Sequence, residues 1–133
     1  MRSTDEGFVV SEWVLSVAVL LLPVVVLVAT LPHWAERRHA ATVAAREAAS
    51  AVVRDGVGVP ARAEEVARSV ARNHGIDPGD VTIDVAGGGA RGGIVTVSVH
   101  VRMPAVAVPG LGAIAGWTYT ATQHRRVDDY ASR

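Results

Sequence analysis

Hydrophobic positions follow three successive patterns along this chain. They are nearly continuous from Val14 to Leu31, recur with small residues at helical spacing from about residue 32 to 73, and alternate with polar residues from Val81 to Val127. In the first stretch, Trp13 to Leu31, the only polar side chains are Ser16 and Thr30, and Pro23 is the only proline. A hydrocarbon core of about 30 Å needs roughly 20 apolar residues in a helix, so this run predicts a transmembrane helix. Trp13 and Trp34 bracket it. The helical rise between them is roughly 31 Å, which places one indole in each interfacial belt. The run is longer than the apolar region of a secretory signal peptide, and ATLPHWA offers no good small-residue cleavage site. A retained membrane helix is the expectation.

Pro32 is expected to kink the helix or begin a new one, because proline is tolerated in a first turn. Beyond it, Ala40, Ala41, Ala44, Ala48, Ala51 and Val52 form a narrow stripe of small residues. Arg37, Arg38, Arg46 and Glu47 are expected to form a solvated flank. GVGVP (56–60) interrupts the pattern, and Pro60 suits the first turn of a second helix. In that helix Ala63, Val66, Ala67, Val70 and Ala71 share one face, with Glu64 and Glu65 toward its start and Arg68 and Arg72 toward its end. Gly75 is the expected C-terminal cap.

The period then changes to two. VTIDVA (81–86) and VTVSVHVRM (95–103) alternate apolar with polar residues around GGGARGG, and predict an antiparallel hairpin with one buried face. PAVAVPGLGAIAG is expected to be a loop punctuated by Pro and Gly. WTYTATQHRRV (117–127) predicts a third strand, with Trp117, Tyr119 and Ala121 on one side. The order predicts an α+β fold, in which a transmembrane helix is extended by an Ala-rich helix and followed by a short helix and a three-stranded antiparallel sheet. The expected organisation is a leader at 1–7, a transmembrane helix at 8–31, an Ala-rich stalk at 32–55 and a small extracytoplasmic domain at 60–133.

Composition narrows the chemistry. Charges balance at 13 basic and 13 acidic residues, so no global field favours nucleic acid. Cysteine is absent, which excludes disulfides, thiolate metal sites and Cys nucleophiles. The glycine-rich stretch lacks GxxxxGK[ST] and joins two strands, so it reads as a hairpin connection rather than a phosphate loop. His33, His39, His74, His100 and His124 show no metal-ligand spacing. His100 and His124 fall on the solvent faces of two strands and are expected to be solvated. No nucleophile, base and orienting group can be nominated, so neither catalysis nor a cofactor is expected.

One residue does not fit a plain membrane anchor. Glu12 stands at the mouth of the apolar run in EGFVVSE. A carboxylate costs about 2.5–3.5 kcal/mol at the centre of a bilayer and less near the interface. Gly7–Phe8, then Glu12 five residues after the Gly, then an apolar helix, resembles the processing signature of type IV prepilins. Together with the early Pro23, the Ala-rich helix and the Val-alternating strands, the chain is similar to the TadE/TadG-like minor pilins, or pseudopilins, of tight-adherence (Flp) pilus systems. Asp5 and Glu6 stand beside the Gly where type IV leaders commonly carry a basic residue.

The resemblance implies a structural subunit that assembles or primes a pilus or related secretion system. Its implied partners are the membrane, a prepilin peptidase cutting between Gly7 and Phe8, other pilin subunits and the assembly platform. It also implies a cytoplasmic N-terminus and an extracytoplasmic C-terminal domain. Against that orientation, Arg37 and Arg38 follow the span whereas only Arg2 precedes it, and the positive-inside rule then favours a cytoplasmic C-terminus. Cleavage would expose an amine on Phe8, on the same helical face as Glu12. Glu12 would neutralise its own or a neighbour's amine and so set the register of assembly. The alternative is an uncleaved, signal-anchored module whose sheet binds an envelope ligand.

Overall fold

The computed structural model describes residues 5–55, 60–87, 92–108 and 110–127, with the side chains of 5–10 and Asp55 outside that description. The fold is α+β: among the described residues are a long helix α1 (Asp5–Asp55), a helix α2 (Pro60–Asn73), a short 3-10 turn (Pro78–Asp80) and five strands. These are β1 (Val81–Gly87), β2 (Ile94–Arg102), β3 (Val106–Val108), β4 (Gly112–Ile114) and β5 (Thr118–Arg126).

Pro32 neither ends nor restarts the helix. Pro23 and Pro32 both lie inside the single 51-residue α1. Each removes one backbone donor, so the carbonyls four residues earlier, on Val19 and Val28, lose their helical partner. Thr30 Oγ1 donates to the Leu27 carbonyl at 2.8 Å one turn from the second proline. The apolar half of α1 is exposed, and this helix is long and apolar enough to cross a membrane.

The second half of α1 forms one wall of the core. Ala40, Ala41, Ala44, Ala45, Ala48, Ala49 and Val52 are buried there. Their small side chains let α2 approach closely through Ala63, Ala67 and Ala71, which are also buried. The seam is wider than a single stripe, because α1 packs on α2 with one flank and on β2 and β5 with the other. Glu64 and Glu65 lie just past the first turn of α2 and bond laterally, Glu64 to Arg68 at 2.6 Å and Glu65 to Arg62 at 2.7 Å. At the end of α2, Gly75 has φ +67°. Its N–H donates to the Arg72 carbonyl, and the Ile76 N–H reaches back to Ala71. This is the double bond pattern of a Schellman cap, and it turns the buried Ile76 into the core.

The main sheet has the order β1-β2-β5 and is antiparallel throughout. Central β2 points Val95, Val97, Val99 and Val101 inward, and none is more than 1% exposed. Burial of each such side chain contributes about 1.5–3 kcal/mol. The segment connecting β1 to β2, GGGARGG in sequence, lies largely outside the described residues.

The expected loop after β2 holds two strands instead. β3 and β4 form a separate antiparallel ribbon, with Val106 opposite Ile114 and Val108 opposite Gly112. Its base is closed by the Met103 N–H, which donates to the Trp117 carbonyl at 2.7 Å. Each strand is only three residues long, and the surrounding Pro and Gly conceal them in the sequence.

Candidate functional site

The two polar residues of the apolar span, its proline and the charged residues at either end share one face of α1. Glu12, Ser16, Pro23, Thr30 and Arg37 are separated by four, seven, seven and seven residues, which is helical spacing. Between Ser11 and Leu31 the half-buried residues are Pro23, Val26 and Thr30, all on this face, while the others are exposed.

The ribbon lies beside part of the stripe. Gly110 and Leu111, at its tip, line a cavity with Ser16, Val19, Leu20 and Pro23. Its base, Pro104 to Ala107, lines a second cleft of about 510 Å³ beside Val26, Thr30 and Trp34. From Met103 to Trp117 the sequence has no charged side chain and no hydroxyl or amide side chain. That uniformity is the sequence signal for a segment lying along the apolar helix, and the loop expectation passed over it.

Where α1 leaves the apolar stretch, it is tied to the domain. The Arg37 guanidinium, expected to be solvated, donates to the Arg102 carbonyl at 2.7 Å and pairs with Asp80 at 3.3 Å. Arg38 lies 5.0 Å from the centre of the Tyr119 ring, within cation–π range. Trp34 presents a buried indole Nε1 with no hydrogen-bond partner among the described residues.

The outer face of the sheet carries a second polar array. His100 Nδ1 shares a hydrogen bond with Thr120 Oγ1 at 2.7 Å, and its Nε2 with Asp84 Oδ2 at 2.9 Å. One imidazole thereby spans all three strands. Ser98 bonds to Thr122 at 3.2 Å, and Thr96 to His124 at 3.0 Å. His100 and His124 are therefore engaged with separate partners rather than with each other. Asp84, His100 and Thr120 follow the order of a carboxylate–imidazole–hydroxyl relay. They stand on an open face, however, with Asp84 73% exposed.

Of the residues that the leader signature singles out, Gly7 and Phe8 lie within the helical backbone of α1, and their side chains fall outside the described residues. Glu12 is exposed near the start of α1, and its carbonyl accepts the Ser16 hydroxyl at 2.8 Å. Among the described residues no group of three or more His, Asp or Glu is placed to hold a metal ion. No protein-family profile, curated protein or solved structure matches this chain.

Proposed function

We propose that this chain is a pilin-like structural subunit, anchored by α1 in a membrane and taking part in assembly or priming of a Tad/Flp-type pilus or a related secretion system. The observation that carries this reading is Glu12. It stands five residues after Gly7 at the mouth of an apolar helix, on the same face as the only other polar side chains of the span. A lone carboxylate there is unfavourable in lipid and favourable beside an amine, and removal of residues 1–7 would create that amine on Phe8. A continuous helix carrying an antiparallel sheet on its second half is an arrangement suited to such a subunit.

The reading is tested on protein from native membranes. Its mass and N-terminal sequence should show a start at Phe8, and Gly7→Leu should leave residues 1–7 attached. Retention of the leader in the unmodified chain, or a cut near Ala35, overturns it.

A further inference from the structure

The cleft at the base of the ribbon is graded from polar to apolar along the direction in which α1 would cross a bilayer. With Trp34 in an interfacial belt, His33, Glu36 and Arg37 stand at headgroup depth. Thr30 and Val26 lie roughly 6 and 12 Å deeper, beside acyl chains. The opposite wall supplies His74 and Ile76 from the end of α2, and Pro104 and Val106 from the ribbon. At about 510 Å³ the space falls within the usual size of a small-molecule site, roughly 300–1,000 Å³.

The polar end offers two kinds of partner. His33 and His74 bring ring nitrogens, and the Trp34 indole N–H has no partner among the described residues. These are groups that can donate to a phosphate. Glu36 brings one carboxylate, and it makes no ion pair among the described residues. Arg37 is already held by Asp80 and the Arg102 carbonyl, so the cleft is not simply a cationic site for an anion. Donors beside one carboxylate, above an apolar floor, match a phosphate carrying an ammonium group above an acyl chain.

We propose that this cleft binds one phosphatidylethanolamine molecule of the leaflet next to the domain. The phosphate lies toward Trp34 and the histidines, the ammonium against Glu36, and the first part of an acyl chain along Val26 and Val106. The choline headgroup has no N–H to give Glu36, and the glycerol headgroup has no positive charge. The inference requires that α1 spans a bilayer with the ribbon base held against it, and it stands apart from the pilus reading.

The test is electron spin resonance of the full chain in phosphatidylcholine bilayers containing traces of lipid spin-labelled on the acyl chain. Phosphatidylethanolamine, phosphatidylglycerol and phosphatidylcholine probes are compared through their motionally restricted fractions. The ethanolamine probe should associate about threefold more strongly than the other two, a difference of about 0.65 kcal/mol. Glu36→Gln should bring it down to their level, with Trp34→Phe weakening it. Val26→Trp, filling the apolar end, should remove the preference, whereas Val17→Trp on the opposite helical face should retain it. Circular dichroism checks that each variant is folded, and the exposed Glu36 site decides the matter if Val26→Trp is not. Equal association of the three probes, a preference for phosphatidylglycerol, or a preference surviving Glu36→Gln overturns the proposal.

Discussion

Arg37 Nη1 stands 3.3 Å from Asp80 Oδ2 and 2.7 Å from the Arg102 carbonyl, so one guanidinium fastens α1 to the open end of the β1–β2 pair, where β1 begins and β2 finishes. The two side chains of the ion pair are 22% and 30% exposed. Such a pair contributes at most about 1 kcal/mol once solvent screening is allowed for. The bond to the carbonyl is the stronger of the two contacts, because it is short and charge-assisted. Arg37→Ala should therefore cost about 1–2 kcal/mol and Asp80→Asn less than about 1 kcal/mol. Denaturant unfolding of the purified chain in detergent, followed by tryptophan fluorescence, measures both. Equal losses would place the stabilisation in the ion pair instead.

The alanine seam predicts intolerance to size rather than to polarity alone. Ala45 is 0% exposed between α1 and its neighbours. Ala45→Leu should cost about 1–3 kcal/mol through overpacking. Glu47→Leu, two residues away on the exposed side, should change stability by less than about 0.5 kcal/mol. The same unfolding measurement compares them.

Three glycines should rank by backbone contact. A Cβ on Gly87 would stand 2.5 Å from the Ile94 carbonyl oxygen, and one on Gly116 would stand 2.7 Å from that of Met103. At Gly75 a Cβ meets nothing within 4 Å, although φ is +67°. Gly75→Ala should cost only the left-handed strain, about 1 kcal/mol. Gly87→Ala and Gly116→Ala should cost more, because backbone must move. Thermal midpoints give the order.

The ribbon and lipid compete for one stripe of α1. Lipid-exposed sheet edges are excluded from the hydrocarbon region, and the tip, Gly110–Leu111, lies beside Ser16–Pro23. In a bilayer the tip should leave the helix while the base, held by Met103 and Trp117, remains. A Leu20→Cys/Leu111→Cys chain has no other thiols. It should form its disulfide when purified in detergent and fail to do so in native membranes. Equal cross-linking in membranes would show that the ribbon tip stays on α1 within the bilayer.

Orientation can be read from the outer face of the sheet. Thr122 is exposed there. Thr122→Cys should react with a membrane-impermeant thiol reagent on intact cells if the domain is extracytoplasmic, as the pilin reading requires. Labelling only after lysis would place it in the cytoplasm, as the arginine count favours.

The elements that local pattern could reveal are those whose neighbours lie close in sequence. The change of period from helical to alternating located α2, β1, β2 and β5 to within a residue or two, because each buries one regular face. Of the two expectations for Pro32, a new helix does not occur, because a proline removes one hydrogen bond while a long helix retains the rest. Arg37 looked like a solvated charge because its partners are 43 and 65 residues away. The ribbon was missed for a related reason. Strands of three residues have no period to detect, and their register depends on Met103 meeting Trp117. At Glu12 the spacing alone raised the question, and the fold adds that Ser16, Pro23 and Thr30 continue its face.

A helix that runs from Asp5 to Asp55 joins anchor and domain without an intervening loop. At about 1.5 Å and 100° per residue, the azimuth of the sheet relative to Glu12 is fixed by counting residues. Rotation of α1 in the plane of a membrane would swing the His100 face through the same angle, like a vane on a shaft. One alanine inserted before Ala40 would turn that vane by roughly 100° while lifting it only about 1.5 Å. Neighbouring chains that meet both ends of the molecule would thus be sensitive to its phase far more than to its reach.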